Sequence, residues 1–353
     1  MPLPFTDKAD ADLVACVEMM RGGSKTFFAA SRLLPPRVRA AAIALYAFCR
    51  VADDMVDTGN SIERSLQVLN HRLNLIYAGT PMSHVEDRAL TVVVQRHQLP
   101  RHLLDALLDG FAWDGHERRY ESMEDLHGYA ARVAGSVGAM MCWIMGPQQA
   151  VTLARACELG VAMQLTNIAR DVGEDARLGR IYLPLQWLRE EGIDLNAWLA
   201  YPVNTPALQR VIRRVLDEAD RLYKQSRAGI AELPRDCRSA ILSAGLIYAE
   251  IGHQLRRTGL DSVNHRSVVS TKRNLWLLAR AWLQSRWVSV QRHQPQALSG
   301  IAYLVEQCQL SPANGSILDL AAKKQPSLEN MLMIFERLEW QRMQSASRQL
   351  NRQ

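Results

Sequence analysis

The chain has 353 residues, of which 48% are apolar and 22% are charged, and these proportions exclude an intrinsically disordered protein. Its apolar runs are shorter than the roughly 18 to 20 residues needed to cross a bilayer, which also excludes a transmembrane helix. A formal charge of +6 with a pI of about 9.1 favours an anionic partner.

Helical periodicity runs through the whole sequence, and no stretch shows clear alternation of β-branched residues. Glycine and proline interrupt the pattern often enough to predict roughly ten helices. The composition does not shift as it would at a linker, so residues 1–295 are predicted to form a single all-α domain. Residues 296–353 restart the helical pattern and are predicted to form a C-terminal extension packed on the same domain.

The opening segment contains no basic region leading into an apolar one, so no secretory signal is expected and the protein is predicted to be cytoplasmic. The six cysteines are scattered without a Cys-x-x-Cys pair. Such spacing favours buried thiols in a reducing compartment over disulfides or a zinc site.

The first group of carboxylates lies in "CRVADDMVD", residues 49–57, within a helix predicted to begin at Pro35-Pro36 and to end at Gly59. Polar residues spaced four, three and four apart share one face of this helix: Tyr46, Arg50, Asp53 and Asp57. Asp54 is predicted to point away from that face.

A second group lies in "NIARDVGEDARLGR", residues 167–180, at the end of a helix predicted to run from about Pro147 towards residue 175. Its polar residues are spaced three, four and four apart: Gln164, Asn167, Asp171 and Asp175. Arg170 lies beside this row.

Carboxylates one turn apart repel each other when both are ionised. Two solvated surface helices could tolerate the repulsion, but the flanking sequence around both groups is apolar, where charge needs compensation. Mg²⁺ supplies it, because this ion takes one or two carboxylates together with water and phosphate oxygens. Two such rows on facing helices therefore predict a Mg²⁺ site that binds a diphosphate.

A basic stretch lies between His253 and His293, where eight lysines and arginines accompany one acidic residue, Asp261. Trp276, Trp282 and Trp287 are interleaved with them. The stretch is compatible with a solvated face, an anionic membrane surface, a diphosphate or nucleic acid. Nucleic acid is the least favoured partner, because no zinc-finger spacing or aromatic RNA-binding motif is present.

With these motifs the sequence resembles the squalene and phytoene synthase family. The resemblance rests on "GSKTFFAASRLLP" (23–35), "LYAFCRVADDMVD" (45–57), "YAARVAGSVGAMM" (129–141) and "QLTNIARDVGEDARLGRIYLP" (164–184), which occur in family order. It covers roughly residues 12 to 290 and is strongest for the bacterial phytoene synthases. It implies an all-α isoprenoid-synthase bundle with a deep central cavity.

The resemblance also implies roles for individual residues. Metal ligands would be Asp53, Asp57, Asn167, Asp171 and Asp175. Diphosphate contacts would be Ser24, Thr26, Tyr46, Arg50, Gln164, Asn167, Arg170 and Lys272. Tyr182 and Tyr248 match cavity tyrosines and, with the four aspartates, are the implied catalytic residues. Thr26 stands where a serine is common, a change that keeps the hydroxyl.

The implied reaction is Mg²⁺-dependent head-to-head condensation of two geranylgeranyl diphosphates to phytoene, through a cyclopropyl diphosphate and without nicotinamide. Mn²⁺ is the alternative metal. The alternative reaction is that of a squalene or dehydrosqualene synthase acting on farnesyl diphosphate. The alternative of another class is a non-catalytic, membrane-associated assembly protein of the same fold. Peripheral contact with the inner membrane face suits the enzyme as well, because its substrates carry long hydrocarbon tails. The sequence leaves the oligomeric state open.

Overall fold

The architecture is all-α in a computed structural model that describes residues 7–23, 28, 30–59, 61–288 and 296–310. Fourteen α-helices and no strand occur in these ranges. The first seven helices are α1 (Asp7–Gly23), α2 (Pro36–Thr58), α3 (Ile62–Tyr77), α4 (Val85–His97), α5 (Arg101–Gly115), α6 (Met123–Ala130) and α7 (Ser136–Met145). The others are α8 (Ala150–Arg177), α9 (Leu185–Glu190), α10 (Leu195–Ala200), α11 (Pro206–Ile230), α12 (Arg235–Arg257), α13 (Thr271–Gln284) and α14 (Ala302–Leu310).

The all-α prediction is confirmed, whereas the estimate of roughly ten helices was too low. Among the added elements are α9 and α10, each of six residues, which are too short to leave a periodic pattern. Over the described ranges, no helix is both long enough and apolar enough to span a bilayer.

The helix with the first carboxylates has the bounds that its proline and glycine predict. Helix α2 begins at Pro36, where the missing N–H of proline costs no helical hydrogen bond, and it is followed by Gly59. Its apolar residues, such as Phe48 and Ala52, are fully buried in the main core. Burial of that side leaves the polar row of α2 on the opposite face.

Helix α8, with 28 residues, is the central element against which α7, α11 and α12 pack. Its contact with α7 is close because Gly138 faces it. A Cβ at Gly138 would lie 2.2 Å from the carbonyl oxygen of Ala156 on α8, a separation that real Cβ atoms do not adopt. Glycine is therefore required there by backbone packing, and it fixes where α8 lies in the bundle.

A five-residue π-helix, Ala131–Gly135, joins α6 to α7. Such an interruption shifts the register of the side chains that follow it along the helix. The register change lies directly after Tyr129, a residue that reappears in the candidate site.

A buried carboxylate on α8 holds residues 296–310, which follow α13, against the bundle. Glu158 on α8 is completely buried and lies 2.9 Å from the guanidinium of Arg155. The amide of Gln225 donates to Glu158 at 2.9 Å, and the backbone N–H of Leu298 donates to it at 3.1 Å. Residues 296–310 are thereby held on the bundle, and residues 311–353 of the expected extension lie outside the described residues.

Replacing Glu158 with glutamine is expected to change how stability depends on pH. Burial raises the pKa of Glu158 to about 7 from 4.5, so the folded protein holds more protons than the unfolded chain between these values. Stability of the native protein therefore falls as pH rises through this window, relative to Glu158→Gln, by roughly 1 to 3 kcal/mol. Urea unfolding of both proteins at pH 5 and pH 8 measures the difference. A difference in stability that does not vary with pH contradicts the prediction.

Candidate active site

The acidic face of α2 carries a carboxylate that is hard to ionise. Burial first, and then the charge of Asp57, raise the pKa of Asp53 from 3.8 to about 6. Although 42% of the Asp53 side chain is open to solvent, the surrounding protein removes part of the hydration of its carboxylate. This face therefore favours a bound cation.

Arg50 compensates part of that charge, but its main partner differs from the one that the helix spacing indicates. Its guanidinium lies 2.7 Å from Asp54 and 3.8 Å from Asp53. Asp54, which the spacing set aside, is within reach because residues four apart are neighbours on a helix. Asp53 is consequently left less neutralised than Asp54.

On the acidic face of α8, Asp171 is neutralised by arginines, whereas the pKa of Asp175 is raised. Asp171 accepts a hydrogen bond from Nε of Arg170 at 2.8 Å and pairs with Nε of Arg266 at 3.0 Å. Burial, followed by the charges of Asp171 and Glu174, raises the pKa of Asp175 from 3.8 to about 7. Asp175 therefore ionises less readily than an ordinary aspartate.

An arginine links the two acidic faces, and a further carboxylate lies near both of them. Arg180, just after α8, donates to Asp57 at the end of α2 at 2.8 Å. Asp114 on α5 lies near both rows, since its charge raises the pKa of Asp53 and of Asp175. Carboxylates from three helices thus surround one region.

Arg266 reaches Asp171 because the loop between α12 and α13 lies directly on α8. The backbone N–H of Gly173 donates to the carbonyl of Ser262 at 2.9 Å, and Arg177 donates to the carbonyl of Val263 at 2.9 Å. A Cβ at Gly173 would lie only 2.1 Å from the Val263 carbonyl oxygen. The glycine between Asp171 and Asp175 is therefore needed for this contact.

Tyr182 lies in the same region. Its hydroxyl donates to Asp114 at 2.7 Å, and the hydroxyl of Tyr129 donates to the other oxygen of that carboxylate, also at 2.7 Å. Burial raises the pKa of Asp114 to about 6, an increase that the two tyrosine hydrogen bonds partly oppose.

The remaining predicted residues are placed less uniformly. The Tyr46 hydroxyl lies against Gly23 at the end of α1, and Gln164 is partly buried on α8. Tyr248 on α12 is buried, which raises its pKa to about 12 despite the opposing charge of Arg170. Lys272 is exposed in the first turn of α13 and makes no hydrogen bond or ion pair within the described ranges.

Ser24 and Thr26 lie outside the described residues.

The donors present are suited to a hard divalent cation. The side-chain oxygen of Asn167 is buried and has no hydrogen-bond partner among the described residues, although it lies one turn ahead of Asp171. No three histidine, cysteine or carboxylate groups in the described ranges are already gathered around a single point. Mg²⁺ needs no such cage, because it retains waters and takes substrate phosphate oxygens.

Arg180, Arg266 and Asp114 were not predicted as site residues. Arg180 follows Asp175 by five residues, beyond the helical spacing that defined the row. Arg266 joins the site only through a fold contact between a distant loop and α8. Asp114 had a visible signal, since it directly follows the apolar and aromatic run "GFAW", residues 110–113, where a carboxylate is unexpected.

Comparisons with known proteins show the family and the fold of the chain. A family model described as squalene/phytoene synthase matches residues 20–274. A phytoene synthase from Rhodobacter capsulatus is 49% identical over 285 residues, covering 80% of this chain and 84% of that protein. Another from Cereibacter sphaeroides is 51% identical over 280 residues, covering 76% of this chain and 79% of that protein.

Solved structures with the same architecture include a dehydrosqualene synthase in complex with a ligand. It is 32% identical, with a TM-score of 0.72, and the match covers 79% of this chain and 98% of that one. A squalene synthase from Alicyclobacillus acidocaldarius is 25% identical, with a TM-score of 0.67 and coverage of 72% and 96%. These likenesses confirm the isoprenoid-synthase architecture of the bundle.

Replacing Gly173 with alanine is expected to displace the loop that carries Arg266. The new methyl group would collide with the backbone of Val263, and backbone cannot move as cheaply as a side-chain end. Unfolding free energy should fall by about 1 to 3 kcal/mol in urea denaturation. Gly128→Ala is the matched control, because its nearest neighbour would be the flexible Arg132 guanidinium at 3.9 Å. Equal stability of the two variants contradicts the assigned contact.

Proposed function

The chain belongs to the squalene/phytoene synthase family, and we propose that it is a phytoene synthase condensing two geranylgeranyl diphosphates head to head. The observation that carries the proposal is the junction of two acidic helix faces through Arg180 and Asp57. Identities of 49% and 51% with relatives named phytoene synthase support this reaction over condensation of farnesyl diphosphate. The cyclopropyl diphosphate intermediate belongs to the same proposal.

Five residues are proposed to hold the metal: Asp53, Asp57, Asn167, Asp171 and Asp175. Two observations support a role as cation ligands. The pKa values of Asp53 and Asp175 are raised, and the side-chain oxygen of Asn167 has no hydrogen-bond partner among the described residues. When bound, Mg²⁺, or Mn²⁺ in its place, supplies positive charge that stabilises the departing diphosphate.

Two arginines beside Asp171 are proposed to bind the diphosphate of the substrate. Arg170 and Arg266 neutralise Asp171 in the structure described above. Once Asp171 bears a cation, both guanidinium groups can turn to diphosphate oxygens, for which their planar geometry is suited. Further proposed contacts come from Ser24, Thr26, Tyr46, Arg50, Gln164, Asn167 and Lys272.

Tyr182 and Tyr248 are proposed to face the prenyl chains, where partly or fully buried aromatic rings exclude water from the carbocation. No nicotinamide is expected to take part. Residues 1–295 are proposed to form the catalytic domain, with 296–353 as an extension packed on it.

The proposal is tested by incubating purified protein and Mg²⁺, without nicotinamide, with geranylgeranyl diphosphate or farnesyl diphosphate. A C40 hydrocarbon with a conjugated triene is expected from the first substrate, because two C20 chains are joined through a new central double bond. A C30 hydrocarbon would indicate a squalene or dehydrosqualene synthase. No hydrocarbon from either substrate would favour the non-catalytic assembly protein.

Replacing Asp53 with asparagine should lower the rate of hydrocarbon formation about 100-fold or more, because it removes a charge that holds the cation against the leaving group. Asp105→Asn on α5 is the matched control, since the Asp105 and Asp53 side chains are both 42% exposed. Equal loss in both variants would argue against a special role for Asp53.

A peripheral location on the inner membrane face is favoured by one surface. On α13 the residues Lys272, Trp276, Arg280 and Leu283 recur at helical spacing and all are exposed. Trp276 and Trp287 are 49% and 83% exposed, and no acidic residue occurs between Asp261 and Glu306. Basic residues beside tryptophan suit the headgroup region of an anionic bilayer.

Flotation with vesicles tests this surface. Binding to vesicles of phosphatidylglycerol and phosphatidylcholine should fall about tenfold in a Trp276→Ser/Trp287→Ser protein, because the anchoring rings are lost. Tyr201→Ser, at a side chain 78% exposed elsewhere, is the control and should bind as the native protein does. Absence of the native protein from the floating fraction contradicts the proposal, as does preferential capture by a DNA oligonucleotide.

A further inference from the structure

Asp114 is not among the proposed metal ligands or diphosphate contacts, yet it is hydrogen-bonded on both of its oxygens. It lies at the end of α5 and accepts hydrogen bonds from two tyrosines on separate segments, Tyr129 on α6 and Tyr182 after α8. Each of its oxygens takes one hydroxyl at 2.7 Å. An ionised carboxylate only accepts, so both phenols must act as donors towards it.

Three tyrosine rings near this carboxylate form a compact cluster. The rings of Tyr129 and Tyr182 are 5.2 Å apart and nearly parallel, and Tyr120 lies 5.1 Å from Tyr129 and 6.1 Å from Tyr182. Tyr120 and Tyr129 are buried, whereas Tyr182 is partly exposed. The cluster therefore has one partly exposed member, and its hydroxyl donates to Asp114.

We infer that Asp114 is a positioning residue that accepts the hydrogen bonds of the Tyr129 and Tyr182 hydroxyls, so that neither hydroxyl donates into the region where the prenyl carbocation forms. The inference rests on the proposed function, because the direction of these two hydrogen bonds affects catalysis only if the reaction passes through a carbocation.

The direction of these hydrogen bonds matters in two ways. A phenol whose proton is engaged by a carboxylate presents oxygen lone pairs on its open side, and lone pairs rather than protons stabilise a nearby cation. Donation to the carboxylate also increases electron density in the ring, which strengthens attraction between a cation and the ring face. Asp114 forms no bond with substrate in this role and acts only through the tyrosines.

A nearby positive charge favours the ionised form of Asp114. Arg180, which joins the two acidic rows through Asp57, also lowers the pKa of Asp114. The same arginine therefore opposes protonation of Asp114, whereas burial and the charge of Asp57 favour it. A protonated Asp114 could donate to one tyrosine and would reverse that hydroxyl's orientation.

Asp114→Asn tests the inference with little change of shape, because the amide nitrogen can only donate and so reverses one hydrogen bond. We expect kcat with geranylgeranyl diphosphate to fall about 10- to 100-fold with KM changed less than about threefold, since stabilisation is lost mainly in the transition state. The fraction of prenyl product captured by water as alcohol should rise. Asp109→Asn on the same helix, at an exposed position, is the control.

A double-mutant cycle separates positioning from direct action. If Asp114 acts through the tyrosines, adding Asp114→Asn to a Tyr129→Phe/Tyr182→Phe protein should lower kcat by less than about twofold further. A full multiplicative loss, with all variants folded by circular dichroism, would show that Asp114 acts elsewhere. Unchanged kcat and product distribution in Asp114→Asn would overturn the inference outright.

The near-ultraviolet spectrum distinguishes failure of the inference from failure of the proposed function. If the native protein forms no hydrocarbon, the proposed function fails, and the cationic purpose fails with it. If the hydroxyls of Tyr129 and Tyr182 donate to Asp114, tyrosine absorption must still shift in Asp114→Asn and must not shift in Asp109→Asn. An unchanged spectrum would contradict that hydrogen-bonding arrangement whether or not the protein is active.

Discussion

Mutual repulsion among carboxylates on different helices is the constraint on which the site depends. Asp53 and Asp57 on α2 and Asp171 and Asp175 on α8 face a common region, and Asp114 adds a charge from α5. Packing reduces the hydration of three of these carboxylates. The pKa values of Asp53, Asp114 and Asp175 therefore rise to about 6 to 7. Such an arrangement is stable only when cations, whether from side chains or from solution, share the region.

Arginines provide that compensation within the protein itself. Arg180 ties the ends of α2 and α8 together, while Arg170 and Arg266 neutralise Asp171. Their compensation is uneven, because Asp53 and Asp175 keep raised pKa values. This uneven compensation supports the proposal that these side chains bind divalent cations and, through them, a diphosphate.

Helical spacing was enough to predict both acidic rows, since residues three and four apart share a face whatever the tertiary structure. The bounds of α2 followed as well, because Pro36 and Gly59 act through local backbone geometry. Contacts made only by folding were beyond that reasoning. Arg266 meets Asp171 across 95 residues because a loop packs on Gly173. Spacing alone also did not decide which of its two helical neighbours Arg50 pairs with more closely, Asp53 or Asp54.

The central claim is that the two acidic faces form a single site at which a diphosphate binds only with divalent cations. Calorimetric titration with inorganic pyrophosphate, in Mg²⁺ and in EDTA, tests it most directly because no catalysis is required. Binding in Mg²⁺ that disappears in EDTA, and that is lost when Asp57 on one face or Asp175 on the other is changed to asparagine, is the expected result. Equal affinity in Mg²⁺ and EDTA, or loss from only one of the two faces, would contradict a shared site.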